Sequence, residues 1–245
     1  MSQIKLGNTD IPFVFRGDEL MYPNYVKDGL VLHYDFSGMT NADTSRGIAK
    51  DLSGNGNHGT LQNFNFTPES GYDKNKLLFD GVDDRVESIP MSIFTDTLTL
   101  TTTLDIRDVS VSNVGYAMTL TDSGATRFWL SKNGAAIRCQ MYDGGEIRSV
   151  STGISTGKQS VTVTFDGKLI RMYKNGLPVS EFVSETPFTS WTSNNLYIGS
   201  YDNGGAYAPP KINQKNFMMY NRPLTPEEIA HNYAIEKERF NIQEV

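Results

Sequence analysis

The chain is poor in the residues from which most staples and active sites are made. It has one cysteine, Cys139, in 245 residues. No intramolecular disulfide can therefore close, and the apolar core has to hold the fold, which suits synthesis in a reducing compartment. Its three histidines, His33, His58 and His231, stand far apart without metal-ligand spacing and read as packed or surface side chains. No apolar run approaches the ~20 residues of a membrane helix, and Met1-Ser2-Gln3-Ile4-Lys5 opens no secretory signal, so the expectation is a protein made in the cytoplasm without membrane insertion. The net charge is -6 and no Lys/Arg cluster offsets it. Nucleic acid is thereby excluded as a main partner, because phosphate backbones demand a concentrated positive field. Phosphate loops and nucleophile elbows are missing too. Glu69, Glu87, Glu146, Glu181 and Glu185 stand singly instead of alternating as Glu-x-Asp-x-x-Glu along one strand. That leaves no carboxylate pair for glycoside hydrolysis, and the chain is expected not to be an enzyme.

What is present is strand alternation broken by Gly and Asn turns from Leu98 to Tyr220, which predicts an all-β, antiparallel β-sandwich with a single terminal helix. Residues 1–24 hold three short apolar segments, Ile4–Leu6, Ile11–Phe15 and Leu20–Tyr22, predicting a small β-meander too short to stand alone. Within it, Arg16-Gly17-Asp18 fits a turn. Residues 29–245 form the main domain. Leu30, Leu32 and Tyr34 alternate with Val31, His33 and Asp35 in a strand expected to be covered on both sides, whereas Met39–Glu69 is poor in strand signals. In it, the Asp51–Gly59 loop reads as Asx turns or as an oxygen-ligand site for calcium. Leu77–Phe79 and Arg85–Ile89 are strands around a turn, and Asp80, Asp83 and Asp84 bunch three carboxylates there, facing either solvent or a cation. Leu98, Leu100, Leu104 and Ile106 alternate with Thr99, Thr101, Thr103 and Asp105 as a half-buried strand.

The hairpin Arg127–Tyr142 is the main binding candidate. A two-residue Asn133-Gly134 turn pairs Leu130 with Ile137, Phe128 with Cys139, Trp129 with Arg138 and Arg127 with Gln140. One face is then apolar, with Cys139 a small buried hydrophobe. The other carries Arg127, Trp129, Arg138, Gln140 and Tyr142, an aromatic plate with polar forks that suits a sugar. Contact with another subunit and plain surface packing, including a cation–π pair, are the alternatives. In the next two hairpins, Asp166-Gly167 pairs Val163 with Ile170 and Val161 with Met172, and Asn175-Gly176 pairs Met172 with Val179. Trp191, Tyr201 and Tyr207 stand near Gly/Asn-rich loops, as ligand contacts or hinge plugs.

The last motif is a strand to Ile198-Gly199, a loop, a strand Asn216–Tyr220, and Thr225-Pro226-Glu227-Glu228. That sequence is a capping box opening a helix over about 226–239, with Ile229, Ala230, Tyr233 and Ala234 facing the sandwich and Phe240 and Ile242 extending the contact. Together with Gly29–Phe36, Asp51–Leu61, Leu77–Asp84 and Val161–Val179, the order Leu196-Tyr197-Ile198-Gly199 … Tyr220-Asn221-Arg222-Pro223-Leu224 resembles laminin-G-like, concanavalin-like jelly-roll domains. The resemblance implies the jelly-roll fold, carbohydrate binding and a rim calcium, for which Asp80, Asp83 and Asp84 are the candidates. Relatives read Ile-Asp-Glu-Val where this chain has Ile212-Asn213-Gln214-Lys215, so two carboxylates are amides here. The segment Lys5-Leu6-Gly7-Asn8-Thr9 … Val14-Phe15-Arg16-Gly17-Asp18-Glu19-Leu20-Met21-Tyr22-Pro23 resembles N-terminal attachment segments of bacteriophage tail and virion proteins. It implies a homo-oligomeric virion protein in a tail, baseplate or head decoration, held to other virion proteins through residues 1–24 and meeting host-surface carbohydrate. A purely architectural virion role is the alternative, and a glycan-degrading enzyme a third.

Overall fold

The structure, a computed structural model, describes residues 5–7, 9–11, 13–16, 19–88, 97–110, 115–122, 125–143, 146–188, 195–200 and 212–243. Gly17 and Asp18 of the Arg-Gly-Asp triplet, and Trp191, Tyr201 and Tyr207, lie outside them. Two small ladders open the chain: β1 (Lys5–Leu6) with β2 (Thr9–Asp10), and β3 (Val14–Arg16) with β4 (Glu19–Tyr22).

The other strands make two antiparallel sheets. In chain order they are β5 (Leu30–Asp35), β6 (Ile48–Ala49), β7 (Gly59–Gln62), β8 (Gly71–Tyr72), β9 (Leu77–Leu78), β10 (Arg85–Ser88), β11 (Leu98–Ile106), β12 (Gly115–Asp122), β13 (Ala125–Asn133), β14 (Ala136–Asp143), β15 (Glu146–Gly153), β16 (Gly157–Phe165), β17 (Leu169–Lys174), β18 (Leu177–Val183), β19 (Asn195–Ile198) and β20 (Ile212–Tyr220). Sheet I has the spatial order β15-β14-β13-β12-β19-β10-β7-β6. Sheet II runs β18-β17-β16-β11-β20-β9-β8, with β5 also paired to β20. The turn after Phe79 therefore carries the chain from sheet II to sheet I. The region Met39–Glu69, expected to hold little strand, contributes β6 and β7 to the edge of sheet I.

Alternation sets the core. Leu100, Leu104, Val163, Met172 and Phe217 of sheet II meet Leu120, Phe128, Leu130, Cys139 and Ile198 of sheet I, because strand side chains point alternately to opposite faces. β5 and β11 are buried on both sides, since α1 (Pro226–Phe240) lies over the outer face of sheet II. The threonine face of β11, expected to be half-exposed, is thus covered: Thr99 Oγ1 donates to the Arg222 carbonyl at 2.8 Å and accepts the Leu224 N–H at 2.8 Å. The capping box forms as its sequence predicts, with Thr225 and Glu228 exchanging side chain–backbone bonds.

Three expectations need correction. The helix buries Ile229, Asn232, Ile235, Glu236 and Phe240, while Ala230 and Ala234 are exposed and Tyr233 is half-buried. The stripe is rotated because Asn232 and Glu236 answer buried polar groups of sheet II: Asn232 Nδ2 donates to Tyr220 Oη at 2.9 Å, and Glu236 Oε1 accepts from Asn216 Nδ2 at 3.0 Å. Phe240 and Ile242 do extend the contact. In the β16–β17 hairpin, Asp166 Oδ1 accepts the N–H groups of Lys168 and Leu169, making a longer Asx-turn loop. That moves the pairs by two, to Val163–Met172 and Phe165–Ile170. Asn175-Gly176 forms its turn, but a bulge pairs Met172 with Ser180 and leaves Val179 exposed.

Candidate functional site

Among the described residues, no helix covers the outer face of sheet I. One cross-strand row there runs Ser149, Gln140, Trp129, Thr119, Tyr197, Glu87, Thr60 and Ile48, each paired with the next. Adjacent strands lie ~4.8 Å apart, so residues far apart in sequence form one continuous strip. Trp129 is half-buried and its indole N–H donates to Gln140 Oε1 at 3.0 Å. Tyr197 is a buried floor two strands away, its hydroxyl accepting from Asn195 Nδ2 at 3.0 Å.

The pairing differs from the sequence expectation by two residues. Trp129 faces Gln140, Leu130 faces Cys139, and Arg138 faces Ser131. The cause is the turn: the loop is Gly134-Ala135, with Gly134 at φ +56 in the first central position, as a II′ turn requires, instead of Asn133-Gly134. A shift of two keeps every side chain on its expected face. Arg138 is exposed, and Tyr142, 37% exposed, pairs with Ile147. The Arg127 backbone belongs to β13, while its side chain lies outside the described residues. Trp129, Arg138, Gln140 and Tyr142 thus share a face, with Gln140 and not Arg138 as the indole's partner. Thr119, Tyr197 and Glu87 join the row unforeseen. Only the alternation of Tyr197 with Leu196 and Ile198 signalled its face, since sheet order is not written in local sequence.

Asp80, Asp83 and Asp84 come together at the crossing between the sheets. One ligand oxygen from each lies within 4.8 Å of the others, a span that fits a calcium ion bound at ~2.3–2.6 Å. Asp84 is fully buried; its Oδ1 accepts from Ser70 Oγ at 3.0 Å and its Oδ2 from the Asp80 N–H at 2.9 Å. Burial pushes its carboxyl up to about 6, with the Asp80 and Ser70 hydrogen bonds opposing and the Asp80 and Asp83 charges adding. Gly199, at φ +84, closes β19 against this point, where a Cβ would meet the Phe79 ring and the Asp84 carbonyl. The Asp51–Gly59 loop is organised by Asx turns. Asp51 accepts the N–H groups of His33, Ser53 and Asn57 and the Ser53 hydroxyl, which occupies both of its oxygens.

Two histidines bond the backbone and the third is buried. His58 Nδ1 accepts the Asp51 N–H, His231 Nε2 bonds the Asn24 carbonyl, and His33 is fully buried. Cys139 is in the core, and burial pushes its thiol well up.

With two antiparallel sheets and, among the described residues, a helix across the outer face of sheet II alone, the architecture is that of a concanavalin-like jelly roll. A sequence profile of the concanavalin A-like lectin/glucanases superfamily matches residues 80–230. The chain belongs to this superfamily. No curated protein sequence matches it. Among solved structures, it is similar to the botulinum neurotoxin serotype D binding domain, with TM-score 0.65 and 13% identity over 85% of this chain and 52% of that one. A complex of the serotype D ligand-binding domain with N-acetylneuraminic acid gives TM-score 0.66 and 14% identity over 85% and 51%. Trypanosoma rangeli sialidase with sialic acid gives TM-score 0.63 and 19% identity over 86% and 33%. This superfamily member spans about half of the neurotoxin chains and a third of the sialidase, and at these identities the likeness is one of fold.

Proposed function

We propose that this superfamily member is a non-enzymatic, lectin-like domain that binds saccharide on the outer face of sheet I. The observation that carries the reading is Trp129. It is a half-buried indole on the outer face of sheet I, with its N–H fixed by Gln140 and with the exposed Arg138 and Tyr142 on the same face. A held aromatic plate stacks on the C–H face of a sugar, and the flanking groups exchange hydrogen bonds with hydroxyls. The binding of N-acetylneuraminic acid by a similar neurotoxin domain supports it. Among the described strand residues of this face, Glu87 is the one carboxylate, which favours binding over hydrolysis, since hydrolysis employs a pair. The setting proposed for it is a bacteriophage virion, with residues 1–24 as the attachment segment and host-surface glycan as the partner. That setting rests on the resemblance of those residues.

On an array of host-surface glycans, the wild-type protein is expected to bind saturably and Trp129→Ala to lose at least tenfold in affinity with its urea midpoint unchanged. Equal binding by Trp129→Ala would place the sugar elsewhere. An architectural role has its own support: Leu177, Val179 and Val183 on β18, and Ile147 on the neighbouring edge strand, are exposed apolar side chains suited to another subunit. Absence of glycan binding by a folded oligomer would favour that role.

Calcium belongs to the proposal as a structural ion at Asp80, Asp83 and Asp84. At 100 times its dissociation constant, a ligand stabilises by ~2.7 kcal/mol, or a Tm rise of roughly 5–10 °C in a chain of this size. Calcium is expected to raise Tm in that range in the wild type and not in Asp84→Asn. Equal Tm in calcium and chelator contradicts the site.

A further inference from the structure

We infer that the corner where β16 begins, β17 turns and α1 ends is a second binding site, for an acidic sugar: a carboxylate carried on a polyhydroxylated ring. A cavity of about 380 Å³ opens there, within the size range of small-ligand sites. Lys158 and Gln159 of β16, Lys174 and Asn175 at the β17 turn, and Asn241 and Gln243 beyond α1 line it. It is separate from the Trp129 face, which lies on the other sheet.

The charge of this corner runs against that of the chain. The net charge is -6, yet Lys158 and Lys174 line the cavity, and Lys158 and Lys76 both act on the neighbouring buried Lys215. Asp105, the carboxylate in the lining, is held by Lys76 at 3.1 Å. Lys158 has no ion pair or side-chain hydrogen bond among the described residues, and Lys174 gives one N–H to the Gly153 carbonyl at 2.9 Å, which leaves two. The crowding is felt next door, where burial and then the Lys158 charge push the Lys215 ammonium down to about 8. An anion between Lys158 and Lys174 would relieve it.

A second, independent observation points to a hydroxylated ligand. Gln159 is 5% exposed and its Nε2 donates to the Ser155 carbonyl, but its Oε1 has no hydrogen-bond partner. A buried acceptor left unmade costs ~1–3 kcal/mol; Gln159 lines the cavity while Oε1 itself is closed off, so a ligand hydroxyl meets it once the side chain turns toward the cavity. Inorganic phosphate near neutral pH carries at most two O–H donors, on the charged group itself, whereas an acidic sugar carries several hydroxyl donors on a ring apart from its carboxylate. Asn175 is fixed in place beside it, since its Oδ1 accepts the Ser160 N–H at 3.0 Å and its φ of 51 holds it in the turn. Among the described residues, no aromatic side chain lines the cavity. Recognition here is by charge and hydrogen bonds, in contrast to the stacking plate on sheet I.

Titration calorimetry on the full chain, with glucuronate, N-acetylneuraminate, glucose and inorganic phosphate as probes, tests the site. Both acidic sugars are expected to bind, glucose and phosphate at least tenfold more weakly, with affinity falling as salt rises. Lys158→Ala with Lys174→Ala should weaken the acidic sugars at least tenfold at an unchanged urea midpoint, as should Gln159→Leu. Trp129→Ala should leave this binding intact. The inference is overturned if glucose binds equally, if phosphate binds as tightly as the sugars, or if the lysine double variant behaves as wild type. It is equally overturned if Trp129→Ala removes the binding, which would assign it to sheet I, or if the folded protein binds neither acidic sugar.

Discussion

Asp35→Ala is expected to destabilise the fold by about 3–5 kcal/mol, the cost of leaving one member of a buried ion pair without its partner. Asp35 sits on β5 beneath the helix, and Arg239 reaches it from the last turn of α1 at 2.6 Å, with side chains 0% and 6% exposed. Arg239 also donates to Tyr25 Oη at 3.1 Å and packs over the Phe13 and Phe240 rings. One guanidinium therefore joins helix, sheet II and the N-terminal segment. Removing the carboxylate strands this charge and frees the Ser37 N–H that Asp35 Oδ1 accepts. Exchanging both partners for apolar residues, Asp35→Leu with Arg239→Met, should recover most of the loss, since a buried pair stabilises little relative to well-packed hydrophobes. Urea unfolding measures both. A loss below ~1 kcal/mol for Asp35→Ala would show that the pair does not hold the helix down.

Below pH 6.5 the wild type is expected to lose stability, relative to His33→Phe, by about 1.4 kcal/mol per pH unit, reaching ~3 kcal/mol near pH 4. His33 is fully buried with the Tyr25 ring edge-on at 5.2 Å. Burial, against the attraction of Asp35 and with Arg239 adding, lowers its imidazole from 6.5 to about 4. The folded state thus binds fewer protons than the unfolded state between pH 6.5 and 4. The stability His33 contributes is complete above 6.5 and is lost as pH falls through that window. Arg239 holds the Asp35 carboxyl below its usual value despite burial, so its own contribution fades only below ~4. Glu236 and Asp84 are both raised, mainly by burial, and act with the opposite sign in the same window. The difference between wild type and His33→Phe cancels Glu236 and Asp84 and leaves the imidazole together with its own pull on the neighbouring Asp35. Parallel pH profiles of the two proteins would mean that His33 charges freely in the fold.

Much of the fold can be read from side-chain alternation and turn residues. The strands around Leu32, Leu100, Phe128 and Phe217 lie where their period of two puts them, and the Thr225 capping box opens the helix at its predicted residue. What alternation leaves open is register and partnership. Gly134 leads its turn instead of closing it, and Asp166 builds a longer loop through its own carboxylate, so both hairpins pair two residues on from the expected register. The faces survive because the shift is even. A bulge between Met172 and Tyr173 is an odd shift, and Val179 consequently points outward. Apolar periodicity also misplaced the buried stripe of α1, because Asn232 and Glu236 are drawn in by hydrogen-bond partners on β20 that no local pattern reveals. The candidate face was half legible. Trp129, Arg138, Gln140 and Tyr142 come from one hairpin and share its alternation, whereas Tyr197 and Glu87 arrive through sheet order.

The most direct measurement of the central claim uses Trp129 as its own reporter. The chain has two tryptophans, Trp129 and Trp191, so Trp191→Phe leaves one indole. Titrating that variant with the glycan selected on the array should shift the Trp129 emission and the indole N–H resonance saturably, with a midpoint equal to the dissociation constant measured by calorimetry. Saturable binding by calorimetry with an unmoved Trp129 signal would contradict a saccharide site on the outer face of sheet I.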